Sequence, residues 1–426
     1  MSTRAIHVLL WGQRVCAITL GRNGEPRIQF DERFLKTSLD IAPLRLPLNT
    51  LRQSPHQVHR FTHLNKSTFR GLPSFLVDAL PDDFGNALVN SYMARKGIRL
   101  QEVTVLDRLA YTGRRAMGAF EFKPATGVEQ HSLDALEMSS LVEQARNALR
   151  GDLLKTPERA LNQLLSVGTS AGGARAKAVV AWNPATHAIF AGQSDVPKEC
   201  EHWLLKFDGV GPDTELGLSQ GFGRVEYAYS LMAKQAGVTM SACRLLEEGG
   251  RAHFMTKRFD RVGNTKLLFQ SLCGLMELDY RLKSANDYMQ YLRAVNALRL
   301  GHPELEQAYI RMAFNIMARN CDDHSKNFGF LMQPDGRWEL APAYDVMYAY
   351  NPEGEWTYQH LLGVDGKFSQ HTRADLLNVA SAINISAAGR LLDQIHAAVL
   401  DWEKHAETAG VSDELMALVK RELRPL

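Results

Sequence analysis

Asp322, Asn327 and Asp345 are the residues of this 426-residue chain whose types and spacing point most directly to chemistry. The first two lie in Asn320-Cys-Asp-Asp-His-Ser-Lys-Asn327, and the third ends Ala341-Pro-Ala-Tyr-Asp345. Phosphoryl transfer asks little covalent work of a protein. It needs a carboxylate to orient the attacking hydroxyl, and hard oxygen ligands to hold a divalent ion against phosphates. A carboxylate and an amide on one short loop, with a second carboxylate returned by a hairpin, supply that donor set. Two adjacent aspartates alone would read as a polar turn. A polar run between two apolar elements, followed by a further aspartate, argues for a site.

The spacing narrows the chemistry. Protein kinases place a catalytic carboxylate five residues before a magnesium-binding Asn and bring a second metal-binding Asp from the next hairpin. Asp322 stands in the first position, Asn327 in the second and Asp345 in the third, and the D-x-H-x-K-N pattern selects Asp322 over Asp323 as the base. Lys206, in the apolar run Trp203-Leu-Leu-Lys-Phe207, is costly to bury unless it meets an anion; a phosphate suits it, with Glu226 on the next helix as its candidate partner. The bland alternatives are a snorkelling edge-strand lysine and a first-turn glutamate favoured by the helix dipole.

A third piece, Ser170-Ala-Gly-Gly-Ala-Arg-Ala-Lys177, is small and flexible enough for backbone N–H groups to approach phosphate oxygens. It fits neither standard nucleotide signature. Gly168 and Gly173 have the Walker spacing, but Ala174 stands where its lysine belongs, and no G-x-G-x-x-G occurs. Gly168-Thr-Ser170-Ala-Gly172 also matches the nucleophile elbow of α/β-hydrolases. An elbow needs a helix straight after the serine, whereas residues 178–182 (AVVAW) read as a strand. A hydrolase is therefore a distant second enzyme reading.

The elements that must position these residues are a mixed sheet followed by helices. Residues 6–11, 14–20 and 27–30 read as a three-strand meander, with Asn23-Gly24 at a hairpin turn. Residues 119–123 form another strand before a turn-rich break, and a domain boundary is expected there, giving an N-terminal domain of 1–127 and a core of 128–426. Helices capped by Ser132 and Thr156 open the core. Strands at 178–182, 187–191, 203–207 and 253–258 surround a helix at 225–235 with Gly237 at its end. The phosphate loop and sheet occupy 165–262 and a helical catalytic lobe 263–426. A helix near 304–319 leads into the Asp322 loop, and a hairpin turned by Asp335-Gly336 leads out of it.

Composition sets the outer bounds. At 45% hydrophobic and 23% charged residues with a net charge of +2, the chain is ordinary globular protein and carries no basic stripe for nucleic acid. No membrane is expected, because the first fifteen residues lack a signal-peptide apolar core and no run could span a bilayer. Five scattered cysteines form no C-x-x-C pair, so a reduced, cytoplasmic protein is expected.

Together these segments resemble the HipA family of bacterial toxin kinases. The resemblance rests on Ser170-A-G-G-A-R-A-Lys177, W-L-L-Lys206, Glu226-Y-A-Y, Arg258-F-D-Arg261, Asp322-D-H-S-K-Asn327 and Ala341-P-A-Y-Asp345. Upstream, Leu80-P-D-D-F-Gly85 and Tyr111-T-G-R-R-A-M-Gly118 extend it over nearly the whole chain. It implies an α+β, protein-kinase-like fold, with a β-rich N-terminal region and a larger, mostly helical C-terminal core. It implies a serine/threonine kinase using ATP and Mg2+, with Asp322 as base and Asn327 and Asp345 as metal ligands. Nucleotide contacts would come from Lys206, Lys177, Ser170, Ala171, Gly172, Gly173, His324 and the Phe259-Asp260 hinge. Ser170 would be an autophosphorylation site whose phosphate repels those of ATP. The implied partners are a small helix-turn-helix antitoxin, DNA only through that antitoxin, and an aminoacyl-tRNA synthetase as substrate. Lys257 stands where the family pattern carries Glu, and Gln270-Ser271 replaces an acidic continuation. A DNA-associated regulatory subunit with weak or no kinase activity is the reading from another class. A kinase of small molecules or lipids is a third.

Overall fold

The computed structural model describes residues 3–126, 136, 138–149, 164, 167, 176–193, 195–208 and 221–426. Ser170, Ala171, Gly172 and Gly173, with the helix caps Ser132 and Thr156, lie outside the described residues. The chain mixes helix and sheet, and it divides into two compact units. One comprises Met1–Gly211, Lys257–Glu277 and Leu331–Trp338; the other comprises Pro212–Thr256, Leu278–Phe330 and Glu339–Leu426.

The first unit opens with the meander. Strands β1 (Ala5–Leu10), β2 (Gln13–Leu20) and β3 (Pro26–Phe30) pair antiparallel, with β4 (Val58–His59) beyond β3 and β5 (Phe120–Lys123) beyond β1. Alternation explains the sheet: Ile6, Val8 and Leu10 are buried while the residues between them are half-exposed. Two turns differ from expectation. The first hairpin turns on Trp11 and Gly12, both with positive φ (48° and 81°), a pairing required by a two-residue turn but unfavourable for Trp. The Trp11 indole N–H donates to Lys266 O at 2.7 Å, which holds that residue in place. At the second turn only Gly24 is left-handed; Asn23 instead accepts from Glu25 N through its side chain.

A second sheet of the same unit pairs β6 (Lys177–Trp182) antiparallel with both β7 (Ile189–Ala191) and β8 (Glu201–Lys206). Every residue of β6 is buried, as its near-continuous apolar sequence requires. The Arg258-Phe-Asp-Arg261 segment attaches to β8 through the bond from Arg258 N to His202 O, 2.9 Å.

The second unit is mainly helical. Its ribbon pairs β9 (Cys243–Glu248), which the sequence reading missed, with β10 (Arg251–Lys257). The helices Phe222–Gln235, Tyr288–Ala297 and His302–Met317 follow the apolar spacing, and Pro303 starts the last of them where its missing N–H has no helical partner to lose. Helices Arg373–Ala382, Ala388–Leu400, Trp402–Ala409 and Asp413–Glu422 complete the chain. Among the described residues no helix is long and apolar enough to cross a membrane.

Buried charge marks the first unit's most constrained point. Asp260 is fully buried and accepts from Arg258 Nε at 2.9 Å, from Arg261 Nη1 at 2.7 Å and from Gly118 N at 2.8 Å. Burial alone would raise its carboxyl, but Arg258 and Arg261 outweigh this and hold it well below the usual carboxylate range. Gly118 has φ +76°, and a Cβ there would sit 2.8 Å from Phe269 N, so the turn admits only glycine. Replacing Asp260 by Ala would leave two buried guanidinium groups without their counter-ion. We expect a loss of roughly 3–5 kcal/mol of stability, read as a shift of the urea midpoint.

Candidate active site

The Asp322 loop follows directly from the helix His302–Met317, whose end is fixed by its own polar residues. Asn315 Nδ2 donates to Tyr288 Oη at 3.0 Å, and Asn320 Nδ2 donates to Asn315 Oδ1 at 3.0 Å and to Asp345 O at 3.4 Å. Three further bonds fix the segment around Asp345. Ala343 N donates to Thr239 O at 2.8 Å, Arg311 Nη1 to Ala341 O at 2.8 Å, and Cys321 N to Ala349 O at 3.0 Å. Asp345 itself has φ +51°, a left-handed conformation that aspartate tolerates better than most residues. The second unit thus brings Asp322, His324, Asn327 and Asp345 onto adjoining, tightly braced segments.

The two adjacent aspartates have opposite environments. Asp323 is fully buried, and its carboxylate accepts from Tyr288 Oη at 2.7 Å, His360 Nδ1 at 2.8 Å and Leu361 N at 2.7 Å. Asp322 keeps 44% of its side chain exposed, with His324 Nε2 3.7 Å from its Oδ1. Asn327 donates through Nδ2 to the Asp322 carbonyl at 2.6 Å. A carbonyl only accepts, so this bond fixes the amide's orientation and leaves Oδ1 as the oxygen it presents. His324 packs against the Tyr280 ring at 5.3 Å, and its Nδ1 is buried without a hydrogen-bond partner among the described residues.

His360 is the residue that sequence reasoning missed, because nothing in its local pattern sets it apart. Burial by itself lowers its imidazole pKa. Cys321, whose Sγ lies 3.6 Å from Nε2, and the Asp323 carboxylate more than offset this and push it up to about 10. His371, edge-on to His360 at 5.3 Å, is lowered by its own burial and by the His360 charge.

In the first unit, Lys177 and Lys206 are direct cross-strand partners on β6 and β8, 2% and 7% exposed. Like charges opposed across a sheet repel, the more so when buried. The Asp82 carboxylate lies 3.9 Å from Lys177 Nζ. Lys177's opposition to Lys206 was legible only once the register was known. Glu226 is buried on the helix Phe222–Gln235 of the second unit.

Phe259 is half-buried with its ring 5.8 Å from that of Phe269. Asp260, expected beside the nucleotide, has its carboxylate committed to Arg258, Arg261 and Gly118 inside the first unit. Lys257, in place of the family's Glu, pairs with Glu201 at 2.6 Å. Gln270 and Ser271 are also structural: Gln270 Nε2 donates to Ile41 O at 2.5 Å and Ser271 Oγ to Asp78 Oδ1 at 2.8 Å.

Known families match these two stretches separately. Residues 6–123 match the HipA N-terminal domain, and residues 169–404, more than half the chain, match the HipA-like C-terminal domain. The chain belongs to the HipA family. Its fold is similar to that of HipA from Shewanella oneidensis MR-1, solved as a toxin–antitoxin complex with HipB and operator DNA. The TM-score is 0.64 at 14% identity, over 98% of this chain and 94% of that one. At that identity the likeness is one of fold alone. A Helicobacter pylori proinflammatory kinase, CtkA, aligns over 52% of this chain and 88% of its own at 14% identity, and its TM-score of 0.33 carries no argument. Within this HipA-family chain, His360 gives the site a measurable signature. A folded-state imidazole value raised from 6.5 to about 10 means its stabilisation is complete below pH 6.5 and disappears as pH rises through about 10. The stability difference between wild type and His360→Asn, from urea unfolding at each pH, should follow that course.

Proposed function

We propose that this chain is a protein kinase that transfers the γ-phosphoryl group of ATP, with Mg2+, to a serine or threonine hydroxyl. The fold that serves this reading is a protein-kinase-like one. The observation that carries it is the division between adjacent aspartates. Asp323 is enclosed by three donors, while Asp322 keeps nearly half of its side chain exposed, five residues before an amide whose nitrogen is committed to the Asp322 carbonyl. A loop built only as a turn has no reason to pair a sealed carboxylate with a half-exposed neighbour and to be followed by a left-handed Asp345.

In this reading Asp322 orients the acceptor hydroxyl and takes its proton as the Oγ–P bond forms and the bond to ADP breaks. Among the described residues no three His, Cys, Asp or Glu side chains converge as a metal site. One amide oxygen and one carboxylate nevertheless suit magnesium, which takes its other ligands from phosphate and water. Asn327 and Asp345 would hold that ion, which neutralises charge developing on the phosphates. As nucleotide contacts we propose Lys177, Lys206, His324 and the backbone at Phe259, with Glu226 as the candidate partner of Lys206. Ser170 would be the switch residue, its phosphate repelling those of ATP.

For partners we propose a small helix-turn-helix antitoxin that alone contacts DNA, and a protein substrate such as an aminoacyl-tRNA synthetase. The regulatory reading draws on the HipB–operator complex of the Shewanella protein. Titration of the chain alone against duplex DNA at physiological salt separates the two. The kinase reading expects no specific binding.

Asp322→Ala and Asp345→Ala should each remain folded and lose at least a thousandfold in phosphate transfer, measured by mass shift on whole-cell lysate proteins. Wild-type transfer by either variant removes the assignment. After incubation with Mg-ATP, phosphosite mapping should find phosphate on Ser170; phosphate only at other positions removes the switch.

A further inference from the structure

His360 lies outside every motif that pointed to the site, yet it meets the site's loop at two points. Its Nδ1 donates to Asp323, and Leu361 N, the next residue, donates to the other carboxylate oxygen of Asp323. Both belong to the segment that follows Asp345, which is already held to the loop at Ala349 by Cys321 N and Arg319 O. Residues 350–359 therefore form a ring closed at both ends on the loop that carries Asp322. One closure is backbone hydrogen bonding. The other is a buried ion pair, in which His360 and Asp323 are 1% and 0% exposed in their side chains.

We propose that His360 is a positioning residue for the phosphate-transfer centre, acting through Asp323 to hold the backbone that aims Asp322 while leaving nucleotide binding to other groups. This rests on the kinase reading above for its chemistry, but not for its geometry. Asp323 accepts from three directions, and His360 supplies the side-chain donor on the segment that closes the ring. A buried carboxylate left one donor short pulls toward water or toward its protonated form. Either response rotates the peptide joining Asp323 to Asp322. Small displacements of a catalytic carboxylate reduce turnover steeply, because transfer needs near-attack geometry. The lysines that would meet the phosphates lie on β6 and β8 of the first unit.

Two amide variants of similar size separate positioning from bulk packing. Asn places its NH2 where the His360 Nδ1 stands, whereas Gln places it near Nε2, toward Cys321 and away from Asp323. For His360→Gln we expect kcat to fall at least tenfold with KM for ATP within twofold of wild type. His360→Asn should regain most of that loss. Amide hydrogen exchange supplies a readout that does not need turnover. His360→Gln should exchange at least tenfold faster at residues 322–327 and 346–361, with the helix His302–Met317 and the N-terminal meander unchanged. His360→Asn should keep wild-type protection at those residues. Equal loop protection in wild type and His360→Gln would overturn the inference, as would equal loss of kcat in the Gln and Asn variants. Exchange behaving as expected in a wild-type protein that transfers no phosphate would sink the kinase reading and leave the positioning role standing.

Discussion

A carboxylate sealed from solvent governs the geometry of this molecule's polar centre. Asp323 gathers a tyrosine from one helix, a histidine and a backbone N–H from the segment after Asp345, and through Tyr288 the Asn315 amide from a second helix. An ionised group in that position is tolerable only when its donors are in place, so the surrounding elements have one arrangement that satisfies it. The same Asn315 reaches Asn320 and hence the Asp345 carbonyl. The half-exposed Asp322 and Asn327 sit on the loop that these buried neighbours hold.

The first unit deals with buried charge in a different way. Asp260 draws two arginines and a glycine N–H around itself and so fastens the Gly118 turn to the Arg258–Arg261 segment. Lys177 and Lys206, by contrast, set two like charges face to face on neighbouring strands. One arrangement is complete within the unit; the other brings two buried ammonium groups onto neighbouring strands beside the Asp82 carboxylate. The contrast explains why two segments that both carry charged motifs divide into a structural clamp and a candidate phosphate contact.

Much of this was legible in the residues themselves. The meander followed from alternation and the helix leading to Asp322 from its apolar spacing, while side-chain type and interval are what make Asp322, Asn327 and Asp345 candidates. What escaped depends on partners distant in sequence. His360 and Asp323 are 37 residues apart, and no local pattern announces their bond. The burial of Asp260 escaped likewise, because a motif does not disclose it and its partner Gly118 is 142 residues away. Trp11 was read as strand because its left-handed turn is sustained by a tertiary bond to Lys266 that overrides its local preference. Cys243–Glu248 escaped because its alternation is weak: most of its residues are half-buried, so polar and apolar positions do not separate cleanly.

The closed ring between Ala349 and His360 also has an evolutionary consequence. Because its two ends are anchored independently, the entropic penalty for lengthening the intervening stretch grows slowly, about 0.6 kcal/mol for each doubling. Changes at its exposed positions, such as Pro352, Glu353 and Tyr358, can accumulate there without disturbing the anchors. This short arc is therefore where sequence can drift most freely beside a fixed polar centre.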